Sequence, residues 1–239
     1  MKNWLTIFVA IAALVIGAVA QTKRTVRKTG VKSTTAAKPA VQTPARPAGY
    51  KGVVSGRTYT NKAFGFEITF PDTWLIPDDD FEAYMKKNGF DISLKPPKAA
   101  NAQDQKTLNA SFNRLTILLT AYRSLPGTPA NAVARVSVEN IRTLNTTRPV
   151  KDAVDYVDLM RSSFKLVQMP ADYKYSETQA EKLGENEFAY IDSSNKDQKT
   201  RLYATVRNGY ALLFSLNYSA DEDLETFRDV LARAKFSSK

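Results

Sequence analysis

Thr200-Arg201-Leu202-Tyr203-Ala204-Thr205-Val206-Arg207-Asn208-Gly209-Tyr210-Ala211-Leu212-Leu213-Phe214-Ser215-Leu216-Asn217-Tyr218 reads as two strands about a tight turn. Asn208-Gly209 between alternating runs is the strongest short-range hairpin signal in the chain. The second run sets Tyr210, Leu212, Phe214, Leu216 and Tyr218 on one face and Ala211, Leu213 and Ser215 on the other. Ser219-Ala220-Asp221-Glu222 follows and reads as a capping box that starts a helix. The apolar face of that helix is Ala220, Leu224, Phe227, Leu231 and Ala234.

Upstream, residues 186–192 and 200–207 read as strands joined through Ser193-Ser194-Asn195, and Tyr173 and Tyr175 mark a short strand. Val150, Ala153, Val154, Val157, Met160 and Phe164 fall at helical spacing, which predicts a helix over 149–166 with Pro149 in its first turn. Residues 131–141 alternate again, after a Pro-Gly turn at 126–127. Residues 113–123 carry Leu115, Ile117 and Leu119 on one face and Thr116, Leu118 and Thr120 on the other, as in a central strand covered on both sides. Residues 95–110 read as a long polar loop, and Phe90, Ile92 and Leu94 as a strand. Asp78-Asp79-Asp80 opens a short helix with Phe81, Tyr84 and Met85 on one face, Lys86 and Lys87 in the last turn, and Gly89 at C′. Phe64, Phe66, Ile68 and Phe70 alternate as a half-buried strand. The sum is an α+β domain, an antiparallel sheet sandwiched by helices, over residues 57–239.

Tyr59-Thr60-Asn61 leads into Phe64-Gly65-Phe66-Glu67-Ile68-Thr69-Phe70-Pro71-Asp72-Thr73-Trp74. This resembles the opening of PsbP-like domains, and the closing strand, Asn208-Gly209, aromatic strand, helix and Phe236 resemble their ending. That family comprises the extrinsic PsbP subunit of the photosynthetic oxygen-evolving complex and bacterial relatives, including DcrB-type envelope proteins. The resemblance implies an α/β/α sandwich and a non-enzymatic role in assembling or stabilising something in the envelope. Thr73 departs from the usual Gly before Trp74, and residues 95–110 have no clear counterpart. No family catalytic residue carries over, and family metal proposals that use His have no residue here.

The chain holds 239 residues, 34 Lys and Arg, 24 Asp and Glu, no Cys and no His. Residues 1–66 carry 11 of the basic residues and no acidic one, so the tail is +11 and the remainder −1. The basic excess belongs to a segment, and a neutral folded part argues against specific nucleic-acid binding by the domain. Residues 4–20 are an uncharged apolar run after Lys2, ending Ala18-Val19-Ala20 before Gln21. They read as a signal peptide, or as a membrane anchor if uncleaved. Lys23, Arg24, Arg27, Lys28 and Lys32 follow, a positive bias that opposes translocation and keeps a cytoplasmic-facing reading open. Residues 21–56, rich in Thr, Ala, Pro and Lys, read as a disordered linker able to touch anionic lipid or wall polymer, or as a plain spacer.

Without Cys or His there is no thiol nucleophile, Ser-His-Asp triad, Cys-ligated metal or His ligand. Asp78, Asp79, Asp80 and Glu82 are contiguous acids unlike an EF-hand loop, and helix-dipole stabilisation accounts for them beside Lys86 and Lys87. Glu185, Glu187 and Asp192 are the carboxylates of a conceivable glycosidase pair, with strand-face exposure as the ordinary account. Arg161-Ser162-Ser163 and Asp192-Ser193-Ser194 lack a Ser-x-x-Lys signature. Trp74, Tyr84, Phe90, Tyr122 and Tyr156 either line an apolar pocket or fill the core. Arg201, Tyr203 and Arg207 mix basic and aromatic character, a polymer-binding hint or an exposed strand face.

The expectation is a non-catalytic, exported or membrane-anchored envelope module with a protein or polymer partner, and with no catalytic, cofactor or metal residue assigned. Two alternatives stand beside it. One is a His-free, carboxylate-dependent hydrolase of an envelope polymer. The other is a cytoplasmic-facing membrane protein whose basic tail binds anionic lipid or nucleic acid.

Overall fold

The computed structural model describes residues 50–237 apart from 79, 91, 129, 130, 145, 147 and 148. The anchor or signal at 1–20 and the linker over 21–49 lie outside the described residues. The folded domain takes in residues before 57, which the sequence pattern places in the linker. Val53–Ser55 is strand β1, paired with β2 (Thr58–Asn61) across Gly56. β3 (Phe66–Thr69) pairs with β2, and its Phe66 and Ile68 are buried together with Phe64 and Phe70, as the alternation predicts. β11 (Lys235–Phe236) returns from the far end of the chain to β3, closing a four-stranded antiparallel sheet ordered β1-β2-β3-β11.

The larger sheet takes β4 (Leu115–Tyr122), β5 (Val133–Asn140), β8 (Asn186–Ser194), β9 (Lys199–Arg207) and β10 (Tyr210–Tyr218), in the order β4-β5-β10-β9-β8. β6 (Lys174–Tyr175) and β7 (Gln179–Leu183) both pair with β8 on its outer side, at opposite ends. All pairings are antiparallel. Asn208 at φ 50° and Gly209 at φ 73° make the β9–β10 turn, the left-handed pair that matches strand twist. The strand covered on both sides is β10, not β4. Leu212, Phe214 and Leu216 enter one core and Ala211 and Leu213 the other. β4 is the sheet edge, and a register shift between Ile117 and Leu119 breaks the face pattern its sequence carries.

Four α-helices complete the described residues. α1 (Phe81–Lys87) buries Met85 and ends at Asn88 and Gly89, whose φ is 87°, but Tyr84 faces solvent. Phe90, Ile92 and Leu94 form no strand, because no neighbouring strand offers a ladder there and Phe90 is itself exposed. The stretch read as a polar loop holds α2 (Ala102–Phe112). Asn101 caps it by accepting from the Asp104 amide at 2.9 Å, and only Leu108 and Ser111 are buried, so no apolar stripe announces it. α3 (Ala153–Ser162) starts later than Pro149, at an Asp152 cap that accepts from the Asp155 amide. A short 3-10 turn at Phe164–Leu166 takes the place of its last predicted turn. α4 (Asp221–Ala232) starts at Ala220, which is still extended and offers no side-chain cap; Ser219 stands one residue too early for the capping box.

α4 and the small sheet pack on one face of the large sheet around Phe66, Trp74, Phe214 and Phe227. α3 packs on the other around Tyr156, Met160, Ile191 and Leu213. The fold is thus the expected α+β sandwich, with a second sheet sharing the α4 layer.

Candidate functional site

An open groove of 570 Å³ lies where α3 begins, the β7–β8 hairpin turns, β9 ends and β11 closes. Each wall has a local reason. Asp155 binds back to the Lys151 amide at 3.0 Å, fixing the approach to α3. Gly184 turns the β7–β8 hairpin at φ 60°, where a Cβ would lie 2.1 Å from the Ala232 carbonyl oxygen. Asn186 Nδ2 donates to Ala234 O at 3.0 Å, tying the hairpin to the end of α4. Arg207 lies 4.8 Å over the Phe236 ring, and its Nη2 donates to Ser237 O at 2.9 Å.

Lys151, Lys182 and Arg207 line this groove with Asp152, Glu185 and Glu187. Three cations therefore face three carboxylates, and Val154 sits on the lining 41% exposed. Glu185 and Glu187 are exposed. Hydrated carboxylates suit charge pairing, whereas general-acid work asks for a carboxyl taken out of water. Asp192 is not with them. It sits at the other end of β8, in a two-point pair with Arg201 at 2.7 and 2.6 Å, with the guanidinium 4.3 Å from the Tyr190 ring.

The remaining sequence candidates scatter. Among the described residues no group of three or more acids is gathered to hold a metal; Asp79 lies outside them. Ser162 and Ser163 donate to the Leu159 and Met160 carbonyls, ordinary back-bonding at a helix end. Trp74 packs on Phe70 and Tyr122 on Phe81, both buried, while Tyr84 and Phe90 face solvent. Tyr156 lies under α3 on the opposite face. The five aromatics share no pocket. Tyr203 is buried and donates to Glu181 at 2.7 Å, so only Arg207 of the basic–aromatic set reaches the groove.

Lys151, Lys182, Arg135 and Glu139 were not legible as special. Lys151 and Lys182 reach the groove only by tertiary folding. Arg135 and Glu139 left one usable signal: charges two strand positions from Ser137, inside a run of Val and Ala. Glu139 is fully buried, holding Arg114 Nε at 2.9 Å and accepting from the Tyr156 hydroxyl at 2.8 Å. Burial pushes its pKa above the ordinary carboxylate value, against the opposing pull of Arg114 and the Tyr156 hydroxyl. With both oxygens engaged, Glu139 ties β5 to α3 and to the end of α2.

Neither a family model nor a curated protein sequence matches the chain. Among solved structures it is similar to the cyanobacterial PsbP (CyanoP) of Synechocystis sp. PCC 6803, at 13% identity over 78% of this chain and 98% of that one, with a TM-score of 0.44. It is also similar to a Bacteroides thetaiotaomicron protein, at 11% identity over 78% of this chain and 50% of that one, with a TM-score of 0.37. A third is LpqN of Mycobacterium tuberculosis, described as involved in cell envelope biogenesis, at 12% identity over 72% of this chain and 83% of that one, with a TM-score of 0.37. Likeness at this level leaves function open.

Proposed function

We propose that the chain is a non-catalytic binding and assembly module of the cell envelope. Residues 4–20 export or anchor it, and the basic segment after them serves as the tether. The groove at the start of α3 takes an extended envelope partner, a protein segment or a polymer. The observation that carries this reading is the groove itself: open, and lined by three cations and three carboxylates from strand ends and the start of a capped helix. Mixed fixed charge of this kind selects a partner by charge complementarity. The Ala18-Val19-Ala20 site and the apolar run before it support the location.

The test has two parts. Intact mass is measured on membrane and soluble fractions of the native source. A soluble species beginning at Gln21, or a full-length membrane-bound one with its domain outside, supports the reading. A domain on the cytoplasmic side overturns it. A photo-crosslinker is then placed at Val154 and, as control, at Leu125, which is 59% exposed away from the groove. Crosslinks to an envelope component from Val154 alone, lost on Lys182→Glu with Glu187→Lys, are the expected result. Equal labelling from both positions counts against the groove. Polymer cleavage abolished by Glu187→Gln would instead establish the hydrolase.

A further inference from the structure

β5 enters the large sheet with Arg135 between Ala134 and Val136, and that arginine is only 9% exposed. Its directly paired neighbours on the same face are Thr120 of β4 and Ser215 of β10. A buried guanidinium is costly unless an anion balances it. The other charges drawn into the fold have theirs. Glu139 has Arg114 at 2.9 Å, Asp223 has Arg123 at 3.0 Å, Arg201 has Asp192, and Arg228 has Glu181 and Glu225. Among the described residues, no carboxylate forms an ion pair with Arg135. The group facing it is the Tyr122 phenol, which accepts a hydrogen bond, and Nη1 has no partner. Burial pushes the Tyr122 pKa up, so the phenol stays neutral and supplies no counter-charge.

Arg135 lines a hollow of 230 Å³ at the β4 edge, separate from the groove. The walls converge from three distant segments: Val54 and Tyr59 of the first hairpin, Pro77 and Phe81 at α1, and Ile92 and Leu94 beyond it. This also gives the extended residues after α1 a role, since they form a wall without forming a strand. Asp78 and Glu82, and with them Lys51, line the same hollow from exposed positions. The layout is therefore a deep cation, an apolar body and a carboxylate-bearing mouth. A deep guanidinium asks for a planar anion that can take two parallel hydrogen bonds. Apolar walls ask for a hydrocarbon or ring behind it. The two mouth carboxylates outnumber Lys51 and disfavour a dianion more than a monoanion.

We propose that this hollow binds a small monocarboxylate carried on an apolar body, with the carboxylate on Arg135 and the body against Phe81, Ile92 and Leu94. The site is separate from the groove.

The test titrates the full-length chain with octanoate, with octanol (the same body uncharged) and with inorganic phosphate (the charge without a body). Thermal midpoint and heat of binding are read. Octanoate should raise the midpoint dose-dependently and release heat, and the other two should do far less. Arg135→Met should weaken octanoate binding about tenfold or more, the loss expected for one charged hydrogen-bonding group. The unliganded midpoint of that variant should hold or rise, because Met removes a buried unpaired charge. Thr120→Glu sets a carboxylate directly across from Arg135, so it should raise the unliganded midpoint and abolish the octanoate response. Should Arg135→Met fail to fold, Thr120→Glu decides alone. A wild-type chain that ignores octanoate overturns the proposal. So does undiminished octanoate binding by a folded variant, or a phosphate response equal to that of octanoate.

Discussion

Glu139 shows how one residue sets a pH dependence. Its folded pKa lies above the unfolded carboxylate value, because burial outweighs Arg114 and Tyr156. Between those two values the folded chain holds more protons than the unfolded chain. Its contribution to stability therefore falls as pH rises through that window, and the loss persists above it. Glu139→Gln removes the titration and keeps an oxygen for the Tyr156 hydroxyl. The variant should gain on wild type as pH goes from about 4 to about 7, read as a widening difference in thermal midpoint. A difference that narrows over that range would mean that the two partners outweigh burial. Glu139→Ala is another matter. It strands a fully buried hydroxyl, at a cost of about 1–3 kcal/mol. None of this was legible beforehand, because in sequence Glu139 is one acid in a strand and its partners lie 25 and 17 residues away.

At the scale of elements, legibility followed how much of each element's stability is local. The β9–β10 hairpin rests on Asn208-Gly209 and an unbroken alternation, and it stands where the sequence puts it. β3, α3 and α4 also follow their apolar periodicity, although α3 begins a turn later than expected and the cap of α4 falls one residue on. α2 escaped because it is held by a cap and two buried residues, without a stripe. β7, Gln179–Leu183, escaped because it is polar and mostly exposed, a strand only by virtue of its ladder to β8. The groove escaped for the same reason, being assembled from parts of five elements. α4 yields a prediction of its own. Asn101 and Asp152 cap their helices through side chains, whereas Ala220 does not. Ala220→Ser supplies the missing acceptor without adding charge to an already acidic first turn. It should stabilise the domain by about 0.5–2 kcal/mol. The check is a higher urea midpoint with an unchanged slope; no shift would mean that the first-turn amides of α4 are already satisfied.

Across the whole molecule, the two cores are the two faces of one sheet and share β10. Damage to either should therefore be felt in both. Leu213 is fully buried on the α3 side, whereas Trp74 is buried on the α4 side. Leu213→Ala should cost about 2–5 kcal/mol. In a Trp4→Phe background, Trp74 fluorescence and far-UV circular dichroism should lose midpoint together. A Trp74 transition that stays put while the dichroism shifts would make the layers independent. The placement of β10 also bears on timing. β5 meets β9 only through β10, and β11 reaches back to β3 across a Lys235–Glu67 contact 168 residues apart. A chain made from its N-terminus carries β4 and β5 without their central neighbour until Tyr218 has emerged, and the small sheet stays open until Phe236 has. The domain cannot close before Phe236 has emerged. A leader at residues 4–20 would thus reach an export channel before either sheet behind it was complete.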